Sequence, residues 1–148
     1  MTTMDADDRP WLFFDVGPCR LAVDAARVDE ILELGAVTVV PLAPPAIAGL
    51  LDLRGEALPL LDLSVHFALD GVGPRDTVLA VRNARYRVGL MCTRARGVRA
   101  VSPDAIAPPR LAQPDALRSV ARGELDADAG LRVLLDLDAL LESARVRG

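Results

Sequence analysis

The stretch GLLDLRGEALPLLDL, from Gly49 to Leu63, is an apolar run broken at its centre by Arg54, Gly55 and Glu56. Leu50 to Leu53 and Ala57 to Leu63 therefore predict the two strands of a hairpin, with Gly55 supplying a positive φ at the turn. Pro59 has no N–H to give a ladder, so its strand is expected to lie at an edge or carry a bulge. Arg54 is a placed charge. An unpaired guanidinium is too costly to bury among leucines, so it must be exposed or matched to a carboxylate.

Working outward, Trp11 to Val16 and Cys19 to Val23 flank Gly17 and Pro18 and read as another hairpin. From Asp24 to Leu34, the residues Val28, Ile31 and Leu32 recur at helical spacing. With Asp24 as amino-terminal cap and Gly35 as stop, that spacing predicts a helix. Val37 to Val40 is β-branched and ends at Pro41, and the proline-rich LAPPAIAG that follows predicts a fixed loop. Thr77 to Asn83 and Tyr86 to Met91 predict a third hairpin, Gly97 to Val101 a further strand, and SPDAIAPPRLAQPD from Ser102 a return to turns. From Ala121, ARGELDADAGLRVLLDLDALL echoes RGEALPLLDLSVHF from Arg54. Both hold a strand ending in LLDL and then a short apolar stretch, which implies two related halves.

Short, closely spaced strands with few helical candidates point to β-barrels or a β-sandwich, and disfavour a parallel α/β sheet that needs crossover helices. The 148 residues suit one domain, or two very small ones sharing a core. Residues 1–10 are expected to be a tail, 11–144 one domain of two barrel subdomains, and 145–148 a second tail. Half the residues are apolar (51%) but only 3% are aromatic, so the interior must be built from Leu, Val, Ile and Ala.

A net charge of −4 argues against a general electrostatic partnership with nucleic acid or anionic lipid. Cys19 and Cys92 stand alone and read as reduced core residues rather than metal ligands, so no metal or cofactor is expected. The acidic start MTTMDADDRP is unlike a signal peptide, and no apolar run reaches the roughly 18 residues of a membrane span, so a cytoplasmic location is expected.

Catalytic signals are weak. His66 is the single histidine and adjoins Ser64 only in sequence. There is no phosphate-loop lysine, and the carboxylate pairs Asp126/Asp128 and Asp136/Asp138 read as solvated strand ends rather than acid–base machinery. Arg82, Arg85, Arg87, Arg94, Arg96 and Arg99 form a basic segment. Either they meet Glu124, Asp126, Asp128, Asp136, Asp138 and Glu142 across the sheet, or they form a docking face for an acidic partner.

VDEIL at Val28 to Leu32, TVVPLAP at Thr38 to Pro44 and GLLDLRGEALPLLDL resemble, in order and spacing, the CheW-like adaptor family. The likeness continues through TVLAV, GLMCTRARGV and AVSPDAIAPP to VLLDLDALL, covering nearly the whole chain. It implies a mainly β fold: two intertwined, small, SH3-like, five-stranded β-barrels with short helices. It implies a non-enzymatic scaffold in chemotaxis or a related chemosensory pathway, such as one for pili or surface sensing. Its partners would be the cytoplasmic tip of a methyl-accepting chemoreceptor and the regulatory domain of a CheA-type histidine kinase, in membrane-associated arrays, with no direct membrane insertion.

Carried onto this chain, the resemblance makes Glu30, on the expected helix, the ion-pair partner of Arg54. Gly49 becomes a point of close backbone approach, although an ordinary bend fits it too. Val28, Glu30, Ile31, Thr38, Gly49, Arg54, Val98 and Val101 become candidate receptor or kinase contacts. A plain core stripe explains Val28, Ile31, Val98 and Val101 equally well. Thr93 stands where the family commonly has Asp. The alternative is a free-standing SH3-like barrel that binds peptide or nucleic acid through the Arg82 to Arg99 surface.

Overall fold

The computed structural model describes residues 6–110, 114–127 and 130–144. The first five and last four residues of the expected tails lie outside the described residues, as do 111–113 and Asp128. Twelve strands and three short α-helices are described. The strands are β1 (Arg9–Val16), β2 (Cys19–Asp24), β3 (Val28–Glu33), β4 (Val37–Thr38), β5 (Ile47–Leu53), β6 (Glu56–Asp62), β7 (Thr77–Arg82), β8 (Arg87–Cys92), β9 (Arg94–Val101), β10 (Ile106–Ala107), β11 (Ala121–Ala127) and β12 (Gly130–Leu135). The helices are α1 (Leu63–His66), α2 (Asp115–Arg118) and α3 (Leu137–Ser143).

The strands form two six-stranded sheets, ordered β10-β11-β12-β2-β1-β9 and β4-β5-β6-β8-β7-β3. Each sheet takes a hairpin from one half of the chain and four strands from the other, so the halves are intertwined. The exchange also explains two parallel pairings without crossover helices, β12 with β2 and β6 with β8. The sixth strand in each sheet, beyond the five that the resemblance implied, is the two-residue β4 or β10.

Each sheet curls onto its own apolar cluster. In one, Leu51, Leu53, Leu58, Leu60, Val78, Ala80 and Met91 pack with Leu32 and Val37 of the outer strands. In the other, Trp11, Phe13, Ala22, Leu125 and Leu134 pack with Val101 and Ile106. Side chains from both ends of a sheet thus share one core, which makes each sheet a small barrel. Alternate residues of the same strands (Leu12, Phe14, Leu21, Leu61, Leu79, Leu90, Val133) point the other way, into a third and larger core between the barrels. Strands buried on both faces must be apolar throughout, which is why WLFF, VLAV and VLL read as unbroken runs.

The echo in the sequence corresponds to a structural repeat. LLDL closes β6 at Leu60–Leu63 and β12 at Leu134–Leu137, and its aspartate caps the helix that follows. Asp62 Oδ1 accepts from Ser64 N (3.0 Å) and Asp136 Oδ1 from Ala139 N (3.1 Å). The glycines repeat as well. A Cβ on Gly49 would lie 2.6 Å from Val37 Cγ1 and clash with the Thr38 carbonyl, while one on Gly123 would meet Ile106 and lie 2.8 Å from the Ala107 carbonyl. In both barrels a two-residue strand crosses directly over a bulged glycine.

Three expectations are corrected. The helix predicted over Asp24–Leu34 is a single 3-10 turn, Ala25–Arg27, capped by Asp24, and then strand β3. Val28, Glu30 and Leu32 face inward while Asp29, Ile31 and Glu33 face out, and the strand is held by antiparallel pairing with β7. A period near three in so short a window is overridden by that ladder. The strand predicted over Val37–Val40 stops at Thr38. The arginines meet different acids from those expected: Arg82 pairs with Asp29, Arg87 with Asp29 and Glu56, and Arg96 with Asp15, leaving Arg85–Glu142 as a pair of the expected kind. The acids come largely from the amino-terminal half because strand exchange places that half beside β7, β8 and β9.

Pro59 lies in β6, an inner strand, opposite Leu50, but the ladder to β8 begins only at Leu60. The missing N–H therefore falls where that side of the strand is still free.

A second charge interrupts the apolar run Leu131 to Leu135. Arg132 is buried, and its Nη1 donates to the carbonyls of Phe14 (3.0 Å) and Leu21 (2.9 Å) and to Asp15 Oδ1 (2.9 Å). Its guanidinium also lies 4.6 Å from the centre of the Phe13 ring. The other Asp15 oxygen accepts from Arg96 Nε at 2.7 Å.

The Gly49 contact is directly measurable. Gly49→Ala has both a positive φ and the β4 backbone against it, so it should cost about 2–4 kcal/mol, or roughly 5–15 °C in Tm. Gly55→Ala also has a positive φ, +89°, but meets no neighbouring atom within 4 Å. It should cost only about 1 kcal/mol. Thermal unfolding that shows equal losses at the two positions would exclude the β4 contact as the reason for Gly49.

Candidate functional site

The β5–β6 turn consists of Arg54 and Gly55, with φ values of +51° and +89°. Two left-handed residues in succession make the primed turn whose twist suits a two-residue hairpin. Asp52 Oδ1 braces it by accepting from Gly55 N at 2.9 Å. Asn or Gly is usual at the first position, so Arg54 holds a backbone conformation that its side chain disfavours.

From that position the guanidinium forks onto Glu30 of β3. Nη1 donates to Oε1 at 3.1 Å and Nη2 to Oε2. Because β3 is an outer strand not adjacent to β5 or β6, the bidentate pair spans the opening of the first barrel. The Arg54 hydrogen bond also holds the Glu30 carboxyl below its ordinary pKa.

Beside this pair, Ile31 is 49% exposed on the outer face of β3. Val28 is half-buried against the central core. Thr38 is exposed on β4, and Gly49 is buried beneath it, where a Cβ would clash with the Thr38 carbonyl. On the second barrel Val98 is 57% exposed, whereas Val101 is buried in the barrel core. Val101 therefore belongs to the stripe of core residues, and it also lines a groove beside Val98.

Two apolar residues escaped the sequence reading. Val39 and Leu42 are exposed on the loop after β4, and Leu42 has φ +65°. The available signal was the β-branched VTVV run followed by a loop too proline-rich to bury it.

Thr93 has a structural task. Its Oγ1 accepts from Gly17 N at 2.8 Å, tying the β1–β2 turn to the junction of β8 and β9.

Among the described residues, none of those weighed for catalysis forms an acid–base unit. His66 Nε2 lies 3.0 Å from Ser143 Oγ, and that hydroxyl donates to the Leu140 carbonyl at 2.8 Å. The imidazole must then donate through Nε2 rather than take a proton from Ser143. Ser64 is buried and donates to Asp62 Oδ1 at 2.6 Å. Burial pushes the Cys19 thiol up to about 11 and Cys92 to about 12, so neither is a thiolate near neutral pH.

The fold and this constellation define a class of protein: a paired-barrel β protein with exposed apolar strand positions around an ion-paired turn. Residues 10–145 match the CheW-like domain, and the chain belongs to that family. It is 32% identical to protein FrzA of Myxococcus xanthus, over 95% of this chain and 89% of FrzA. It is 28% identical to the probable chemotaxis protein CheW of Rhizobium etli, over 93% and 90% of the two chains. Among solved structures, the scaffolding protein TtCheW from Thermoanaerobacter tengcongensis superposes with a TM-score of 0.80 at 20% identity, covering 93% of this chain and 90% of that one.

Replacing Arg54 with Asn separates strain from pairing. Arg54→Asn relieves the left-handed conformation while removing the exposed ion pair, so Tm should hold or rise; a marked fall would assign the pair a main stabilising role.

His66 gives a pH signature. Burial holds its imidazole below the ordinary pKa of 6.5. The unfolded chain takes up the proton first, so this contribution to stability is full above about 6.5 and is lost as pH falls below it toward the folded value. Urea midpoints between pH ~7 and ~5 should fall less steeply in His66→Gln than in the parent chain.

Proposed function

We propose that the chain is a non-enzymatic coupling adaptor that holds a CheA-type histidine kinase against the cytoplasmic tip of a methyl-accepting chemoreceptor. The observation that carries the reading is the CheW-like match across residues 10–145, with relatives named for chemotaxis over nine-tenths of the chain. Such a protein works by affinity and geometry: it biases the kinase between states by binding one arrangement better than another.

On this reading the first barrel meets one partner through Ile31, Thr38 and the Glu30–Arg54 turn, and the second meets the other through Val98. Val28 supports β3 from below. The contacts are apolar positions ringed by charge, as expected of a protein interface. The adaptor would act in the cytoplasm, at membrane-associated receptor arrays; among the described residues no helix is long and apolar enough to cross a membrane.

The nucleic-acid alternative is disfavoured. Arg82, Arg85, Arg87 and Arg96 are engaged by carboxylates, which leaves too few free guanidiniums for a phosphate backbone.

Co-purification of the tagged chain with the kinase regulatory domain and with a receptor-tip fragment tests the proposal. Ile31→Glu should weaken capture of one partner at least tenfold while leaving Tm within a few degrees, since the side chain is half-exposed. A folded chain that captures neither partner would overturn the reading.

A further inference from the structure

The two barrels serve as controls for each other. In the first, Glu30 and Arg54 bridge the gap between β3 and the β5–β6 turn. Glu30 stands opposite Ala80 directly after a bulge, and its counterpart in the second barrel, opposite Phe13 and also directly after a bulge, is Gly97. Gly97 has φ +103°, and a Cβ built there would touch nothing. By the same register Val98 is the counterpart of Ile31. Among the described residues no side-chain hydrogen bond or ion pair joins β9 to β11.

A groove of about 420 Å³ opens at that seam. Phe13, Val98, Arg99, Val101, Leu125 and Ala127 are among the residues that line it. The Arg99 guanidinium lies 6.0 Å from the centre of the Phe13 ring. Neither Arg94 nor Arg99 takes part in any of the ion pairs that engage Arg82, Arg85, Arg87 and Arg96. The far edge of β9 has no strand beside it.

We propose that this open seam docks an extended acidic segment of a partner protein. The segment adds as a strand to the free edge of β9, sets an apolar side chain on Phe13 and Leu125, and brings carboxylates to Arg99 and Arg94. Charge fixes which edge is used: β3, the equivalent outer strand of the first barrel, carries no basic residue, and the guanidiniums beside it are already engaged by Asp29 and Glu30. The site rests on the barrel geometry and not on the adaptor reading, and neither receptor nor kinase enters its test.

The test is fluorescence anisotropy of the full chain with a labelled peptide DVELDVE and its basic counterpart KVKLKVK, combined with amide hydrogen exchange. The acidic peptide should bind saturably and weaken with salt. Arg99→Glu and Val98→Ser, both on exposed side chains, should each weaken it several-fold or more with Tm unchanged. Amides of residues 94–101 should slow in exchange when the peptide is present, which side-chain attraction alone does not produce. The proposal is overturned if DVELDVE fails to saturate, if KVKLKVK binds as well, if both variants bind like the parent, or if protection falls outside β9. It is equally overturned if the seam proves to be covered by a second copy of the chain, seen as a concentration-dependent dimer that the peptide does not disperse.

Discussion

The shared core between the barrels is the constraint on which the rest of the structure depends. Because each sheet must line its own barrel on one face and the common core on the other, its inner strands have no face left for water. Apolar burial at roughly 25 cal/mol per Å² then acts on both faces of the same residues, and the barrels cannot part without exposing the larger of the interiors. Strand exchange reinforces this, since removing either half of the chain would take a hairpin from one barrel and four strands from the other. Buried charge is rare and paired: Asp15 meets Arg132 and Arg96, Asp62 meets Arg75, and Glu124 meets Arg110.

This constraint explains what the sequence made legible. The hairpins were readable because tight turns separate short runs that are apolar at every position, and the LLDL echo was readable because an aspartate cap recurs at the same place in each half. An arginine inside leucines must be exposed or paired, and Arg132 in LRVLL is under the same demand as Arg54. The two residues take its two branches. Arg54 is exposed at a turn and paired, whereas Arg132 is buried, with Nη1 on two carbonyls and a carboxylate and Nε without a hydrogen-bond partner.

What was illegible depends on strand neighbours that are distant in sequence. Val28, Ile31 and Leu32 have a helix-like spacing, and only pairing with β7 shows that Ile31 faces solvent while Leu32 faces the barrel. The acid partners of Arg82 and Arg87 lie on β3 and β6, which adjoin those arginines only because the halves exchange strands. Val98 and Val101, three residues apart, look equivalent in the chain, yet one is exposed and the other forms the barrel core.

The repeat also shows where this fold is free to vary. Positions that hold the barrels together keep their chemistry across the two halves: a glycine under each two-residue strand, an aspartate before each helix, small residues at Gly89 and Ala22 where the parallel strands approach. Positions that face outward do not. Glu30 has become Gly97, and β3 is acidic where β9 is basic, although both occupy the same place in their barrels. A repeat whose interior is held alike while its outer strands differ in charge presents two unlike surfaces on one rigid frame. Two unlike surfaces on one frame are a means by which a small protein can discriminate between two partners.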